Sequence, residues 1–249
     1  MLTETVIIIM ASANSIVAML YASVGHGGAS GYIAVMALFS VAPTIIKPSV
    51  LILNIAVSLV AFSIYATAGH FRWRFFWPFA VTSIPASFTG GLIPLPPHVF
   101  KLFLGIALLC SAARILFSSF EKNAPERTFH IPWAMLSGAL IGLVSGITGV
   151  GGGIFLSPLI LMLGWAGQRE TSAVSALFIL VNSIAGLAGY MSATPMATGI
   201  TSLVPLLLTA ALSGGIVGGV AGSRVLTSNA IARALTIVVG IAGVKMIVI

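Results

Sequence analysis

The stretch Gly149-Val150-Gly151-Gly152-Gly153-Ile154-Phe155-Leu156-Ser157-Pro158 places four glycines within five positions of otherwise apolar sequence. A break of this kind in a membrane leaves backbone N–H and C=O groups that must be satisfied by protein or ligand. A second, weaker break, Gly25-His26-Gly27-Gly28-Ala29-Ser30-Gly31, lies near the N-terminus. Two glycine breaks at corresponding places in two halves of a chain are typical of a transporter's substrate site.

The composition indicates an α-helical integral membrane protein. Of the 249 residues, 59% are hydrophobic and only 6% are charged, whereas soluble domains carry about 25% charged residues. So little charge cannot cover a water-facing surface. The apolar runs are long and continuous, unlike the alternating segments of about ten residues in membrane β-barrels.

Turn residues and charges divide the chain into ten apolar segments, five in each half. Each half is predicted to contain a long segment, a glycine break, a short segment, a polar break and three longer segments. Lys47-Pro48 and Gln168-Arg169-Glu170 are the predicted polar breaks. The predicted segments are 5–23, 32–46, 49–68, 75–93, 98–117, 131–148, 154–166, 171–191, 200–222 and 229–249.

This pattern predicts two inverted repeats, 1–117 and 131–249, joined by a cytoplasmic linker at 118–130. Five crossings per half is an odd number, so the halves should have opposite orientations. The layout then collects most Lys and Arg residues on one side, which predicts that both termini lie outside a prokaryotic plasma or inner membrane. The alternatives are ten independent helices with chance similarity, or short segments that re-enter the membrane without crossing it.

No Lys or Arg precedes the first apolar run, so a retained span is favoured over a cleaved signal peptide. Aromatic and basic residues alternate over 70–77. At a helix end this mixture is typical of an interfacial belt, so we expect a lipid bilayer and no nucleic acid as partner.

An enzyme is not expected, because the apolar segments contain no Ser/His/Asp constellation. The four histidines are scattered and Cys110 is the single cysteine, so we expect no metal site and no cofactor. The apolar segments also lack the carboxylates that cation and proton pumps place in their pathway. Helix ends with free N–H groups instead favour a small anion.

The candidate ligands of that anion are the glycines of the two breaks and polar residues that share helix faces. The glycines would supply backbone N–H groups, the asparagines side-chain donors, and the histidine a proton relay. The structural alternatives are close helix packing by glycine, interhelical bonding by asparagine, backbone bonding by serine and a hydrogen bond from the histidine to a neighbouring carbonyl. The candidates are Gly25, His26, Gly27, Gly28, Asn54, Ser58, Gly149, Gly151, Gly152, Gly153, Ser175 and Asn182.

The Gly-Val-Gly-Gly-Gly-Ile…Pro run at 149–158 and the Gly-His-Gly-Gly run at 25–28 resemble the sulfite exporter TauE/SafE family of membrane transporters. The run Ala68-Gly69-His70-Phe71-Arg72-Trp73-Arg74 is similar to one branch of that family, and the resemblance covers essentially the whole chain. It implies export of small sulfur-containing anions such as sulfite, sulfoacetate or other organosulfonates. The first break departs from the pattern, because it lacks the nearby proline that Pro158 supplies in the second.

The expected function is therefore anion transport by alternating access around a midplane site. An anion channel or another organic-anion permease is the alternative, followed by a membrane scaffold that carries no substrate. A flux assay would separate a channel from a transporter, and thermal-shift screening against small sulfonates and carboxylates is the cheapest test of whether a substrate binds at all. A homo-oligomer is left open.

Overall fold

The computed structural model describes residues 4–23, 25–93, 128–195 and 200–224, with isolated positions between 96 and 109 and at 244. Within these ranges the chain forms eight helices and no strand. Helices α1, α3, α5 and α7 and residues Leu203–Ser223 of α8 are long and apolar enough to cross a membrane, which confirms the all-α membrane class. The helices are α1 (Glu4–Ala22), α2 (Ala29–Leu38), α3 (Pro43–Thr67), α4 (Trp73–Leu92), α5 (Ile131–Thr148), α6 (Gly153–Met162), α7 (Gln168–Ala193) and α8 (Ile200–Arg224).

The two short segments end earlier than predicted, at Leu38 and Met162. Both predicted polar breaks are wrong: Lys47-Pro48 lies inside α3, and Gln168-Arg169-Glu170 forms the first turn of α7. Most of the predicted segments 98–117 and 229–249, and of the linker 118–130, lies outside the described residues.

Pro48 is tolerated inside α3 because a neighbouring helix uses the carbonyl that it leaves free. Proline has no N–H, so Pro48 cannot bond the carbonyl of Thr44 four residues earlier. The hydroxyl of Tyr190 on α7 donates to that Thr44 oxygen at 3.3 Å. The bond ties the end of α7 to the start of α3.

Helices α4 and α5 run in the same direction with almost no space between them. A Cβ atom added at Gly142 would overlap the backbone of Ser83, and one at Gly146 would overlap the backbone of Ser87. Residues later in α5 contact residues later in α4, so the two helices are parallel. Small residues of this kind allow the close approach that drives helix association in membranes.

Helices α1 and α8 form the same kind of contact. A Cβ atom added at Gly214 would overlap the carbonyl of Ser15, and one at Gly222 would overlap that of Ser23. Positions again rise together, so α1 and α8 are also parallel.

The centre of the molecule is built from α3 and α7, which run antiparallel. The start of α3 meets the end of α7 at Thr44 and Tyr190, and Leu51 lies near Gly186. Helix α4 packs on α7, and α8 packs on α3. The two glycine breaks pack against side chains of this central pair.

Candidate functional site

The two glycine breaks converge on the same two side chains. The first break connects α1 to α2, and the second connects α5 to α6. A Cβ atom added at Gly27 would lie 2.7 Å from Asn54 Oδ1 and 3.0 Å from Ile179 Cγ2. One added at Gly151 would lie 2.9 Å from Asn54 Nδ2 and 2.9 Å from the same Ile179 carbon. We call the place where Gly27 and Gly151 contact Asn54 and Ile179 the meeting point.

Gly151 shows why the second break requires glycine. Its φ is +77°, in the left-handed region that side chains with a Cβ rarely adopt. The space above it is filled as well, since an added Cβ would lie 3.0 Å from Ser183 Oγ in addition to Asn54 and Ile179. The backbone can reach the meeting point only without a side chain.

Within the described residues, backbone N–H groups at the outer ends of the two breaks have hydrogen-bond acceptors, whereas several at their centres have none. The N–H of His26 donates to the Tyr21 carbonyl at 2.9 Å, and that of Gly149 to the Ser145 carbonyl at 2.7 Å. Among the described residues, no acceptor is found for four N–H groups at the centres and at the starts of α2 and α6. They belong to Gly27, Gly28, Gly151 and Gly152.

Asn54 is fully buried and has unused hydrogen-bonding capacity. Its Nδ2 makes a long bond of 3.4 Å to the Val150 carbonyl, and its Oδ1 has no partner in the described part of the chain. The Oγ of Ser183, also buried at the meeting point, has none there either. Ser58 donates to the Asn54 backbone carbonyl within α3. This bond is the structural alternative to a ligand role for Ser58.

A chain of three buried side chains begins at the first break. Ser157 Oγ lies 3.0 Å from His26 Nε2 and donates to Ser175 Oγ at 2.8 Å. The structure thus brings the predicted His26 and Ser175 together through Ser157. Ser157 and Ser183 were missed at the sequence level, although Ser157 stands in the quoted glycine stretch and Ser183 follows Asn182.

Asn182 occupies a different environment from Asn54. Its Nδ2 donates to Ser83 Oγ at 3.0 Å and to the Phe178 carbonyl at 2.8 Å, and Ser87 donates to its carbonyl at 2.8 Å. These bonds join α7 to α4. The Nδ2 groups of the two asparagines thus have different acceptors, whereas neither Oδ1 has a partner in the described part of the chain. A ligand role for Asn182 stays a prediction.

The meeting point is closely packed, and an open groove of about 600 Å³ lies elsewhere, between α4 and α7. None of the predicted site residues lines this groove. Its lining is mostly apolar and consists of Ile84, Pro85, Phe88, Thr89, Val181, Ile184 and Ala185.

Comparison with known proteins places the chain in a family. The family model for the sulfite exporter TauE/SafE family matches residues 10–246. The chain is 38% identical over 248 residues to the probable membrane transporter protein y4hK of Sinorhizobium fredii (strain NBRC 101917 / NGR234), covering 98% of this chain and 99% of that one. It is 25% identical over 139 residues to the probable membrane transporter protein MJ0441 of Methanocaldococcus jannaschii, covering 55% of this chain and 52% of that one.

No solved structure matches the chain. The family match spans both glycine breaks, most of α1 and the other seven described helices, and the first relative matches over nearly its whole length. The helices themselves are those of a multi-pass membrane protein. The chain belongs to the sulfite exporter TauE/SafE family and is a membrane transporter.

Proposed function

We propose that the protein exports small sulfur-containing anions, such as sulfite, sulfoacetate or other organosulfonates, by alternating access around the meeting point. The observation that carries this proposal is that two glycine breaks converge on Asn54 with N–H groups that have no acceptor among the described residues. Backbone N–H groups at helix starts favour anions, and glycine lets a ligand approach them closely. Because the meeting point is closely packed, the breaks must move apart during the cycle to admit the anion.

The proposed site gives every predicted residue a stated role, either as a ligand or as a support of the ligands. The glycines of both breaks offer N–H groups, and Asn54 offers its amide. Ser175 acts through Ser157 and His26, whereas Ser58 and Asn182 hold the surrounding helices. No ligand other than the anion is required.

The helix contacts support the proposed inverted repeat. In the proposed repeat, helices α1 to α4 correspond in order to helices α5 to α8. The parallel α4–α5 pair then corresponds to the parallel α8–α1 pair, and the α4–α7 pair corresponds to the α8–α3 pair. The central α3–α7 pair maps onto itself and is antiparallel, as an inverted repeat requires. We therefore propose repeats at 1–117 and 131–249 around a linker at 118–130, with ten segments in total.

The proposed topology places the start of α4 and the start of α7 on the cytoplasmic side. Arg72 and Glu170, which stand at these two starts, form an ion pair at 2.8 Å, so both starts lie at one end of the molecule. The cations near this end fit the positive-inside rule. Both termini would then lie outside a prokaryotic inner membrane, and an assay of terminal accessibility tests this.

Proteoliposomes that contain the purified protein test the function directly. We expect saturable uptake of radiolabelled sulfite and sulfoacetate, and exchange of internal for external anion. Flux far faster than a carrier cycle, without saturation or exchange, would indicate a channel. Absence of both flux and thermal stabilisation by any sulfonate or carboxylate would favour a scaffold.

Replacing Asn54 by leucine should lower anion uptake by about tenfold or more, because a buried hydrogen bond to a charged group is lost. Asn182→Leu serves as the matched variant. It removes the bond to Ser83, so its main effect should be a lower unfolding temperature. Equal loss of uptake in two equally stable variants would contradict the distinction between the two asparagines.

Replacing His26 by glutamine should abolish any pH dependence of transport without abolishing binding. Glutamine can still bond Ser157, but it cannot take up a proton near neutral pH. The measurement is uptake of a sulfonate between pH 5.5 and 8 (about the range in which histidine titrates), since a sulfonate stays ionised throughout. An unchanged pH profile in the variant would exclude His26 as the relay.

A further inference from the structure

Lys47 is buried, unlike the other Lys and Arg side chains in the described ranges whose burial is known. It is 5% exposed, whereas Arg72, Arg74 and Arg169 are exposed. A lysine near a membrane interface ordinarily extends its ammonium to water. Lys47 instead points into the protein, so snorkelling does not explain it.

Among the described residues, the ammonium of Lys47 has an aromatic neighbour but no carboxylate partner. Its Nζ lies 5.3 Å from the centre of the Tyr190 ring, and the part of the chain that the structure describes holds no acidic side chain within ion-pairing distance. The bond from Tyr190 to the Thr44 carbonyl fixes that ring in place. A cation–π contact compensates only part of the cost of burying a charge.

The stem of Lys47 lies directly against the second glycine break. A Cβ atom added at Gly149 would lie 3.2 Å from Lys47 Cγ and 3.7 Å from Leu51 Cγ. Lys47, Leu51 and Asn54 occupy positions i, i+4 and i+7 of α3, which form one helix face. Seven residues of α-helix span about 10 Å, so Lys47 stands about two turns from the meeting point, along the same break.

From this arrangement we infer that Lys47 supplies a fixed positive charge that stabilises an oxyanion bound at Asn54, and that Tyr190 holds the ammonium while the site is empty. The inference rests on the proposed function and extends it, because it assigns selectivity for charge to a residue outside the predicted site. The ligand class is a sulfonate or sulfite anion, and a dianion should benefit more than a monoanion.

A charge-graded binding experiment tests this role. At about 10 Å and an effective dielectric constant of about 20, one unit charge changes affinity by roughly tenfold. Lys47→Gln should therefore weaken binding of methanesulfonate, a monoanion, by about tenfold, and of sulfoacetate, a dianion, by about a hundredfold. Lys47→Arg keeps the charge and should retain the preference for the dianion.

Binding to the purified protein is measured by titration calorimetry, and uptake in proteoliposomes. Arg74→Gln is the matched control: it removes one exposed positive charge and should change neither anion's affinity, because water and salt screen it. If Lys47→Gln is lost from the membrane, Lys47→Met replaces it, with a stem of similar length.

The results separate the inference from the proposed function. Wild-type protein that binds and transports neither anion overturns both. Wild-type protein that transports them, with a Lys47 variant that loses nothing or loses both anions equally, overturns only the role of Lys47. A loss that grows with the charge of the anion supports it.

Discussion

Replacing Gly151 by valine should reduce anion uptake to the level of empty liposomes while the protein remains in the membrane. The residue has φ +77°, which a β-branched side chain adopts only with strain. A Cβ there would also lie 2.9 Å from both Asn54 Nδ2 and Ile179 Cγ2. The break must therefore move away from Asn54, and the N–H group of residue 151 moves with it.

Gly167→Val is the control for this experiment. Gly167 precedes α7 with φ −69° and ψ 167°, a conformation that valine adopts readily, and no atom lies within 4 Å of its added Cβ. We expect normal uptake from this variant. Substantial uptake by well-folded Gly151→Val protein would rule out the meeting point as the substrate site.

The second large effect is expected at Gly146, where valine should prevent stable folding. An added Cβ would overlap the carbonyl oxygen of Ser87 and lie 2.9 Å from the N atom of Gly91. Because these neighbours are backbone atoms, α4 and α5 must separate. We expect a loss of about 3 kcal/mol or more in unfolding free energy, at the upper end of overpacking effects.

Thermal unfolding in detergent and size-exclusion profiles measure this loss. Gly218→Val, which places a Cβ against the Met19 carbonyl on α1, is the counterpart in the other helix pair and should behave alike. A stable Gly146→Val protein would show that the α4–α5 contact is not essential to the fold. Stability of only one of the two variants would count against equivalence of the two halves.

The polar breaks show where local reasoning about the sequence fails. Lys47-Pro48 resembles a helix stop, since proline removes an N–H and lysine avoids lipid. Both features depend on Tyr190, which is far away in the sequence. Its ring lies near the Lys47 ammonium, and its hydroxyl donates to the Thr44 carbonyl that Pro48 leaves free. Ser157 and Ser183 are similar cases, because serine is common in membrane helices and only its neighbours distinguish a site residue from a packing residue.

The amino-acid sequence was sufficient to predict the membrane class, the helical secondary structure and the location of the two glycine breaks. These follow from composition and from local backbone chemistry, because lipid demands satisfied peptide groups and glycine interrupts them. The packing of the helices was needed to show that Gly27 and Gly151 both contact Asn54, that Asn182 bonds α4, and that Lys47 is buried beside the second break. Each of these depends on contacts between helices distant in the chain, and apolar segments of similar composition do not specify which faces will touch.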